Sequence, residues 1–519
     1  MTVYVAEEFS ESEADVLRRY FTKGALFARY SRSSKSLRRL FLDEFVGELD
    51  ISGDQTIDAT VGLRRAEELY DRVFFEYGDD SVAQLGGVHL ACEQASNLLT
   101  KVLEWGRLMS YLEQSTRYIA YDARIGGRYR FYRDPGILSS PLGTRFVGEM
   151  DRMFDTYAEL LPRMTDFFKE SFPKDENDSD FVYRQAVRAK AFDALRGILP
   201  AASLSNVGIY GTGQAYEALL LRMRAHPLPE ARTYADLMLG ELRKVIPSFL
   251  KRVDLADRGV AWSDYLGRNR EAMDDLAERF FPSVDDIADA PRTTLVDFDP
   301  DAEVKMVTAM LYAHAHVPER QIEDRVRAMS AEDRLAVVKA YVGERANRRH
   351  RPGRALERID YRFDVLADYG AFRDLQRHRM LTIEWQPLTP LHGYTRPEAV
   401  DLAGEAEAFD RAMERSASLY ELLATRFPAE ASYAVCLAYK VRFTMQMNAR
   451  EAMHLLELRS GPQGHPAYRE VAQDMHRLIA DEAGHHAVAE MMRYVDHSPE
   501  PSLERLESER RAEARREGR

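Results

Sequence analysis

The sequence predicts a helix-rich mixed α+β fold that is built from two similar halves. Apolar residues recur at helical spacing over long stretches, for example in residues 144–169 and 180–195. Short strand-like runs precede some helices, as residues 203–212 precede 214–224. The same order of segments occurs twice along 519 residues, a length that favours two or three domains.

The two halves share a pattern of segments although their identity is low. A long helical pattern leads into an arginine-containing triplet and a polar stretch at 81–118, and again at 355–389. A strand-like segment then leads into GQAYEALLLRMR in the first half and NAREAMHLLELR in the second. The triplet and this second helix are further apart in the first half (107 to 214) than in the second (379 to 448). The first half is therefore predicted to carry an insertion within 122–182.

Composition suggests the boundaries of the units. Residues 251–291 are acidic and are interrupted by Pro282 and Pro291, as expected of a connector. The tail PSLERLESERRAEARREGR is almost all charge, so we expect a solvated helix or a disordered end and assign it no chemistry. The predicted division is an N-terminal unit at 1–250, a connector at 251–291, a C-terminal unit at 292–497 and a tail at 498–519.

Bulk composition excludes several classes of protein. No apolar run approaches the roughly 20 residues needed to cross a bilayer, and the acidic N-terminus does not resemble a signal peptide. Two cysteines, Cys92 and Cys436, cannot form a disulfide framework or a zinc site, so a reduced, cytoplasmic protein is expected. The net charge of −13 argues against broad nucleic-acid binding, but local arginine clusters can still bind small phosphorylated ligands.

The segment EWGRLMSYLEQSTRY at residues 104–118 concentrates polar and aromatic side chains suited to a phosphate, a sugar and a base edge. Arginine fits this role because its planar fork makes paired hydrogen bonds to oxyanions. The alternative is a solvated surface strand or loop, since charged residues mostly stay in water. The side chains concerned are Arg107, Ser110, Tyr111, Glu113, Gln114, Ser115, Arg117 and Tyr118.

These motifs resemble the flavin-dependent thymidylate synthases, the ThyX family, whose signature RHR usually lies in a run like RHRxxSxxEQSxRY. The first half, WGRLMSYLEQSTRY, keeps the third arginine as Arg107 but has Trp105 and Gly106 in place of Arg and His. The second half has an intact Arg377-His378-Arg379, whereas Pro387 and Thr389 stand where the family has serine and arginine.

Downstream segments extend the resemblance to most of the chain, about 20–240 and 292–480. NAREAMHLLELR at 448–459 is close to the family pattern N-A-R-x-L-M-H-F-L-x-L-R, and GQAYEALLLRMR matches it weakly. Arg196 in LRGILP matches an arginine that precedes Leu-Pro in the family. The resemblance implies two fused units, each with long helices packed on a small antiparallel sheet.

The resemblance also implies roles for individual residues. In the family, the residues matching Arg459 and Ser115 belong to the catalytic centre, with the arginine near the uracil ring; Arg222 or Arg224 match it less well in the first half. The residues implied to bind the nucleotide dUMP are Arg107, Glu113, Gln114, Ser115, Arg117 and Arg196. Those implied to bind the flavin are Arg377, His378, Arg379, Asn448, His454 and Ser81.

The function implied is reductive methylation of dUMP to dTMP. Its cofactor would be non-covalent FAD, with NADPH and methylenetetrahydrofolate as co-substrates. Family sites form at the subunit interfaces of a homotetramer. We therefore hypothesise that the nucleotide-binding half and the flavin-binding half form one complete site, and that a homodimer replaces the tetramer.

Two alternatives remain open at this stage. The substitutions at Trp105, Gly106, Pro387 and Thr389 also fit an inactive or repurposed relative that binds flavin or a nucleotide. A helical metal-carboxylate protein is a weaker alternative. Glu451-x-x-His454 and Glu482-x-x-His485 each place a carboxylate and an imidazole on one helical face, as di-iron bundles do. Our primary prediction contains no metal site.

Overall fold

The computed structural model describes residues 1–5, 84, 86–176, 178–281, 290–499, 503 and 505–516. Elements are numbered over these residues. The strands are β1 (Thr2–Val5), β2 (Gly87–Ser96), β3 (Met109–Glu113), β4 (Leu204–Thr212), β5 (Thr293–Phe298), β6 (Asp360–Asp368), β7 (Thr382–Trp385) and β8 (Lys440–Asn448).

Helices make up most of the remaining described residues. They are α1 (Asn97–Leu103), α2 (Pro135–Leu138), α3 (Gly143–Ser171), α4 (Asp180–Leu195), α5 (Gly213–Arg224), α6 (Pro229–Arg243), α7 (Ala261–Phe280), α8 (Ala302–Tyr312), α9 (Glu319–Ala328), α10 (Ala331–Val342), α11 (Tyr369–Leu375), α12 (Glu398–Leu402), α13 (Ala406–Ala424), α14 (Ala449–Arg459), α15 (Pro466–Asp481), α16 (His486–Met491) and α17 (Leu506–Arg516). Shorter 3-10 turns include Arg196–Ile198.

Two four-stranded antiparallel sheets repeat the same topology. Their strand orders are β1-β2-β4-β3 and β5-β6-β8-β7, so each strand of the first sheet has a counterpart in the second. The pairing β2–β4 includes His89 opposite Tyr210, and the corresponding pairing β6–β8 runs from Asp360 opposite Asn448 to Asp368 opposite Lys440. The helix-rich α+β prediction with two fused units is confirmed.

The segment before the first triplet is a strand followed by a short helix, so the prediction of one long helix from 81 is wrong. Val88, Leu90 and Cys92 are buried, whereas His89 between them is exposed, as the two-residue period of a strand requires. The exposed ring of His89 packs 4.6 Å from that of Tyr210.

Caps determine where the helices of both halves begin. The Ser96 side chain accepts from Leu99 N and starts α1, and the Asp368 side chain accepts from Ala371 N and starts α11. Thus the second half also has a strand, β6, where a long helix was predicted. Helices α1 and α11 are each seven residues long, and each ends two residues before the start of its triplet.

Contacts between residues divide the chain into two compact units. The first comprises Met1–Gln114 and Ser203–Asp286, and the second comprises Ser115–Ala202 and Ile287–Arg519. The second unit therefore includes the long helices α3 and α4, which belong to the first half of the repeat. The range 122–182, in which an insertion was predicted, contains α2, all of α3 and the first three residues of α4. Among the described residues, no helix combines the length and apolar character needed to cross a membrane.

Within the second unit, the segment that precedes β4 pairs with the segment that precedes β8. Pro200 forms an antiparallel bridge with Cys436, Ala201 N donates to Val435 O at 2.8 Å, and Leu437 N donates to Leu199 O at 2.9 Å. This pairing brings the 3-10 turn at Arg196 beside the second sheet. Two stretches with equivalent places in the repeat thus contact each other.

The charged tail is helical over α17, and it is not simply solvated. Arg510 makes two hydrogen bonds to the Asp178 carboxylate, at 2.5 and 2.9 Å. Asp178 and Arg505 are both 5% exposed. The expectation of a solvated end is therefore wrong for Arg505, because the tail packs on α4 of the second unit.

Candidate functional site

A buried ion pair in the second unit joins the polar segment to α4. Arg117 Nε and Nη2 donate to the two Asp193 carboxylate oxygens at 2.7 and 2.5 Å, and Nη1 donates to the Tyr468 hydroxyl at 3.0 Å. Burial raises the pKa of a carboxyl group, but the charge and hydrogen bonds of Arg117 outweigh burial and lower the pKa of Asp193 to about 2. Arg117 is therefore fixed in place by an ionised partner.

A second carboxylate, that of the partly buried Asp374 in α11, lies among arginines from both halves of the repeat. Arg196 Nη1 is 3.4 Å from one of its oxygens and Arg459 Nη1 is 3.8 Å from the other. Burial favours the neutral acid, but the charges of Arg377, Arg196, Arg459 and Arg117 hold the pKa of Asp374 well below its usual range. The fold thus gathers four arginines around one acid.

Among the described residues, the arginines of this cluster share their carboxylate partners. Arg505 lies 3.7 Å from Asp193 and adds a fifth guanidinium to the four around Asp374, while two ionised carboxylates face them. A third acid, Asp368, lies beside Arg196, and its pKa is raised because it is buried. Arginines that share carboxylates in this way keep guanidinium donors for an anion.

Unsatisfied donors support the same conclusion. Arg196 is 4% exposed, and its Nη2 has no hydrogen-bond acceptor among the described residues. Buried donors are nearly always paired in folded proteins, so an unpaired guanidinium nitrogen indicates a missing ligand, ion or water. Phosphate oxygens are the acceptors that best fit a planar guanidinium. The donor set therefore fits a phosphorylated ligand.

A cavity of about 800 Å³ lies beside this cluster, within the second unit, and has Asp193, Arg196 and His465 in its lining. Phe167 and Phe168 of α3 contribute an apolar wall, so a helix that lies within the predicted insertion forms part of the cavity. Its volume is in the usual range for small-molecule sites, about 300–1,000 Å³. The space suits a ligand that has an anionic group and an aromatic body.

A hydrogen-bonded network connects the triplet histidine with α14. Arg459 Nε donates to His378 Nε2 at 3.0 Å, so Nδ1 must carry the ring proton, and it lies 3.0 Å from Glu451 Oε1. The other Glu451 oxygen lies 3.3 Å from His454 Nδ1. Burial lowers the pKa of His378 to about 4, so the neutral ring orients the Arg459 guanidinium.

Three residues of this network also have a spacing suitable for a metal ion. Ligand atoms of His378, Glu451 and His454 all lie within 4.8 Å of one another. However, the His378 lone pair at Nε2 accepts from Arg459, and the protonated Nδ1 faces Glu451. The network therefore accounts for this geometry without a metal. Glu482 and His485 join no comparable group in the described part of the chain.

The neutral state of His378 can be tested directly. With ¹⁵N-labelled histidine, we expect the His378 signals to report a neutral Nδ1–H ring from pH 8 down to pH 5, because the folded pKa is about 4. Glu451→Gln should preserve this tautomer, since the amide oxygen still accepts from Nδ1. Glu451→Ala should also keep it, because Arg459 Nε still donates to Nε2. A His378 signal that titrates near the ordinary pKa of about 6.5 would contradict the assignment.

Other predicted site residues of the second unit lie on the same elements. Ser115 is partly exposed, and its hydroxyl accepts from Arg117 N at 3.2 Å. Asn448 is the N-cap of α14, where its side chain accepts from Glu451 N. Arg379 is exposed and Arg377 partly buried. The structure thus places these residues on the elements that carry the arginine cluster and the His378 network, and their binding roles stay predictions.

Three predicted nucleotide ligands belong to the first unit. The Glu113 carboxylate is buried and pairs with Lys101 Nζ at 3.1 Å. Gln114 N donates to Asn206 O at 2.8 Å, which extends the β3–β4 pairing, and Arg107 is exposed. Ser81 lies outside the described residues. For these four residues ligand binding remains a prediction.

The first half lacks the counterparts of the α14 network. Thr212 caps α5 as Asn448 caps α14, and this equivalence places Ala215 at the position of Glu451 and Met223 at that of Arg459. The weak matches of Arg222 and Arg224 are therefore each one residue out of register. Arg222 instead packs over the Trp105 ring, with its guanidinium carbon 4.5 Å from the ring centroid.

Sequence reasoning found the arginines of the cluster but missed their counter-ions. Asp193 and Asp374 each lie three residues before a predicted ligand, Arg196 and Arg377. An acid in an otherwise apolar helix segment, such as AFDAL around Asp193, was the available signal. Arg505 had none, because its surroundings in the sequence are uniformly charged.

Comparison with known families agrees with this repeat. A model of the family described as "Thymidylate synthase complementing protein" matches residues 25–248 and 294–484. The chain belongs to this family. The two matches fall on the two halves of the repeat, so the chain is a tandem duplication of the thymidylate synthase complementing unit. The family is flavin-dependent in general.

Three relatives align with this member of the thymidylate synthase complementing protein family over nearly its whole length. A UPF0159 protein of Chlamydia muridarum is 40% identical over 501 residues, covering 95% of this chain and 93% of its own. One of Chlamydia pneumoniae is 39% identical over 497 residues, covering 95% and 92%. One of Thermoplasma acidophilum is 32% identical over 514 residues, covering 94% and 97%.

A solved structure also matches in part. The UMP/dUMP methylase PolB from Streptomyces cacaoi, bound with 5-Br dUMP, is 18% identical and has a TM-score of 0.31. The match covers 39% of this chain and 96% of the methylase chain. A likeness at that level supports no conclusion about this member of the family.

Proposed function

We propose that this protein is a flavin-dependent thymidylate synthase that methylates dUMP reductively, with methylenetetrahydrofolate as carbon donor and NADPH as reductant. One observation carries the proposal. The arginine cluster around Asp374 combines Arg117 and Arg196 from the first half of the repeat with Arg377 and Arg459 from the second. Complementary residues of two degenerate halves thus meet in one unit, as a single composite site requires.

Different residues of the cluster would bind different parts of the substrate. Arg117 and Arg196 would hold the nucleotide phosphate, because both are buried and Arg196 keeps a donor nitrogen without a protein acceptor. Ser115 would add a hydroxyl donor at the same edge. Arg459, oriented by His378, would stabilise negative charge that develops on the pyrimidine during the reaction.

Residues of the second half would hold the flavin. Arg377 and Arg379 would bind its phosphates, and His454 and Asn448 would contact it from the start of α14. When bound, reduced flavin supplies the hydride. The protein then provides orientation and charge and needs no nucleophile. Consistently, both thiols are buried, and burial raises the pKa of Cys92 and of Cys436 to about 12.

Reconstitution with FAD tests the proposal. We expect the full chain to bind one flavin, not two, because the first half has Trp105 and Gly106 where the second half has the proposed flavin ligands Arg377 and His378. Flavin absorbance gives the stoichiometry, and NADPH oxidation that requires dUMP and yields dTMP establishes the reaction. Failure to bind flavin after refolding with excess FAD would reject the synthase. Light scattering tests the proposed homodimer in the same preparation.

A second candidate is a relative that binds nucleotide and flavin without methylation. It is favoured by Pro387 and Thr389 after the intact triplet, and by Trp105 packed on Arg222 in the first half. This candidate predicts binding of both ligands and no dUMP-dependent oxidation of NADPH. The reconstitution experiment therefore separates the two.

A further inference from the structure

Arg505 reaches the candidate site from the C-terminal tail, beyond the last residue matched to the family, 484. Its Nη1 donates to Arg117 O at 3.0 Å, and its guanidinium carbon lies 4.1 Å from the centroid of the Tyr118 ring. Its Nη2 is 3.7 Å from the Asp193 carboxylate that already binds Arg117. A residue outside the family's matched region thus contacts the central ion pair of the cluster.

Helix α17 fixes the position of Arg505. Arg510 binds both oxygens of Asp178, whose carboxylate is almost fully buried, and the Ser179 hydroxyl donates to Glu513 at 2.5 Å. These contacts attach α17 to the start of α4, the helix that carries Asp193. The tail is therefore docked where it can hold an arginine over the cluster.

Stability of the fold alone does not explain why Arg505 is buried at this position. It is 5% exposed, and burial together with the charge of Arg117 lowers its pKa, so placing this charge here costs free energy. Its Nη2 has no hydrogen-bond acceptor among the described residues, a property it shares with Arg196 Nη2. A tail that served only to cover the protein would gain more from an apolar side chain at this position.

We propose that Arg505 is a phosphate-binding residue, and that the C-terminal tail completes the anion site of this protein. Oxygens of a phosphate would give Arg505 Nη2 and Arg196 Nη2 the acceptors that they lack among the described residues. The identity of the ligand as dUMP rests on the proposed function, but the phosphate chemistry does not. Inorganic phosphate therefore serves as the first probe, and dUMP with deoxyuridine as the second.

The test compares the full-length wild type with Arg505→Ala and a matched control on the same helix. Arg511→Ala is that control, because Arg511 is exposed and pairs only with Glu507 at 2.9 Å among the described partners. Loss of one charge-assisted contact should weaken binding of inorganic phosphate and of dUMP about 10- to 100-fold. Binding of deoxyuridine should not change, and Arg511→Ala should bind like the wild type.

Arg505→Lys and Arg510→Ala refine the test. Lysine keeps the charge but not the fork, so an intermediate affinity is expected. Arg510→Ala removes a contact that holds the tail but leaves the side chains of the site intact. We therefore expect weaker phosphate binding, and a further loss of affinity when Arg505→Ala is added. A purely structural Arg505 would lower the melting temperature of the ligand-free protein in each variant and leave phosphate affinity unchanged.

The outcomes separate this inference from the proposed function. Unchanged affinity of Arg505→Ala for phosphate and dUMP overturns the inference, and dTMP formation can still proceed in that case. Conversely, phosphate binding that depends on Arg505 in a protein that does not bind dUMP supports the inference and rejects the synthase. No phosphate binding by the wild type overturns the inference as well.

Discussion

Arg459→Ala is expected to lower kcat for dTMP formation by about 10²- to 10³-fold, the usual cost of removing one preorganised donor for developing charge. Three contacts hold this guanidinium: His378 Nε2 at 3.0 Å, Asp374 at 3.8 Å and the Tyr468 ring, 5.4 Å from its centroid. Such a restrained cation needs no reorganisation as charge develops. Steady-state kinetics with dUMP and NADPH measure the effect.

Flavin content and the KM for dUMP separate catalysis from folding in this variant. Because Arg377 and His454 remain, flavin binding should persist, and the loss should fall mainly on kcat. Arg477→Ala is the control, since Arg477 is an exposed residue of α15 that pairs with Asp474. An Arg459→Ala protein with wild-type kcat would remove Arg459 from the reaction and favour the binding-only candidate.

The long helices were predictable from the helical spacing of their apolar residues. Residues 144–169 and 180–195 were predicted as helices, and α3 and α4 occupy Gly143–Ser171 and Asp180–Leu195. In α3, buried residues recur at the helical period along the helix, whereas in α4 burial is spaced at Val182, Ala186 and Val187 and becomes continuous over 189–195. The strand β4 and helix α5 were predicted within one residue for a similar reason, since the pattern changes abruptly at Gly213.

The segment before the first triplet was mispredicted because its apolar residues fit two periods. Cys92, Leu99 and Leu103 are spaced by multiples close to 3.5 and are all buried, but Cys92 lies in β2 and the two leucines lie in α1. Only the cap at Ser96, which accepts from Leu99 N, reveals where the period changes. A cap inside an apolar run is a weak signal in a sequence.

The candidate site was predictable as a set of arginines but not as an arrangement. Arg117, Arg377 and Arg459 belong to recognisable motifs, and their gathering around Asp374 depends on α3 and α4 joining the second sheet. That packing involves contacts between residues more than 150 positions apart, for example Arg196 with Asp374. No local pattern encodes it. Arg505 lies in a tail whose composition is the same for a solvated and a docked helix.

Asp193→Asn should destabilise the protein by about 3–5 kcal/mol at pH 7, since removing one member of a buried ion pair leaves its partner charged and unpaired. Arg117 and Arg505 would then face a neutral amide. The folded pKa of Asp193 is about 2, below an unfolded value of about 3.9. Its contribution is therefore fully present above pH 4 and is lost as pH falls through 2.

Urea denaturation of the wild type and Asp193→Asn across this pH range tests the sign and the size of the contribution of Asp193 to the free energy of unfolding. The two unfolding free energies should differ most at neutral pH and converge between pH 4 and pH 2. Asp166→Asn is the control, because Asp166 is an exposed α3 residue paired with Lys169 at 2.9 Å. Equal stability of Asp193→Asn and wild type at pH 7 would contradict the buried pair.

Inorganic phosphate distinguishes a counter-ion from an ordinary structural acid. Asp193 competes with an incoming anion for Arg117 and Arg505, so Asp193→Asn should bind phosphate more tightly than the wild type although it is less stable without ligand. Added phosphate should then restore more stability to the variant than to the wild type, in proportion to the logarithm of its concentration. If phosphate stabilises both proteins equally, the anion does not bind at these arginines. A larger gain in Asp193→Asn would place the anion beside Arg117 and Arg505.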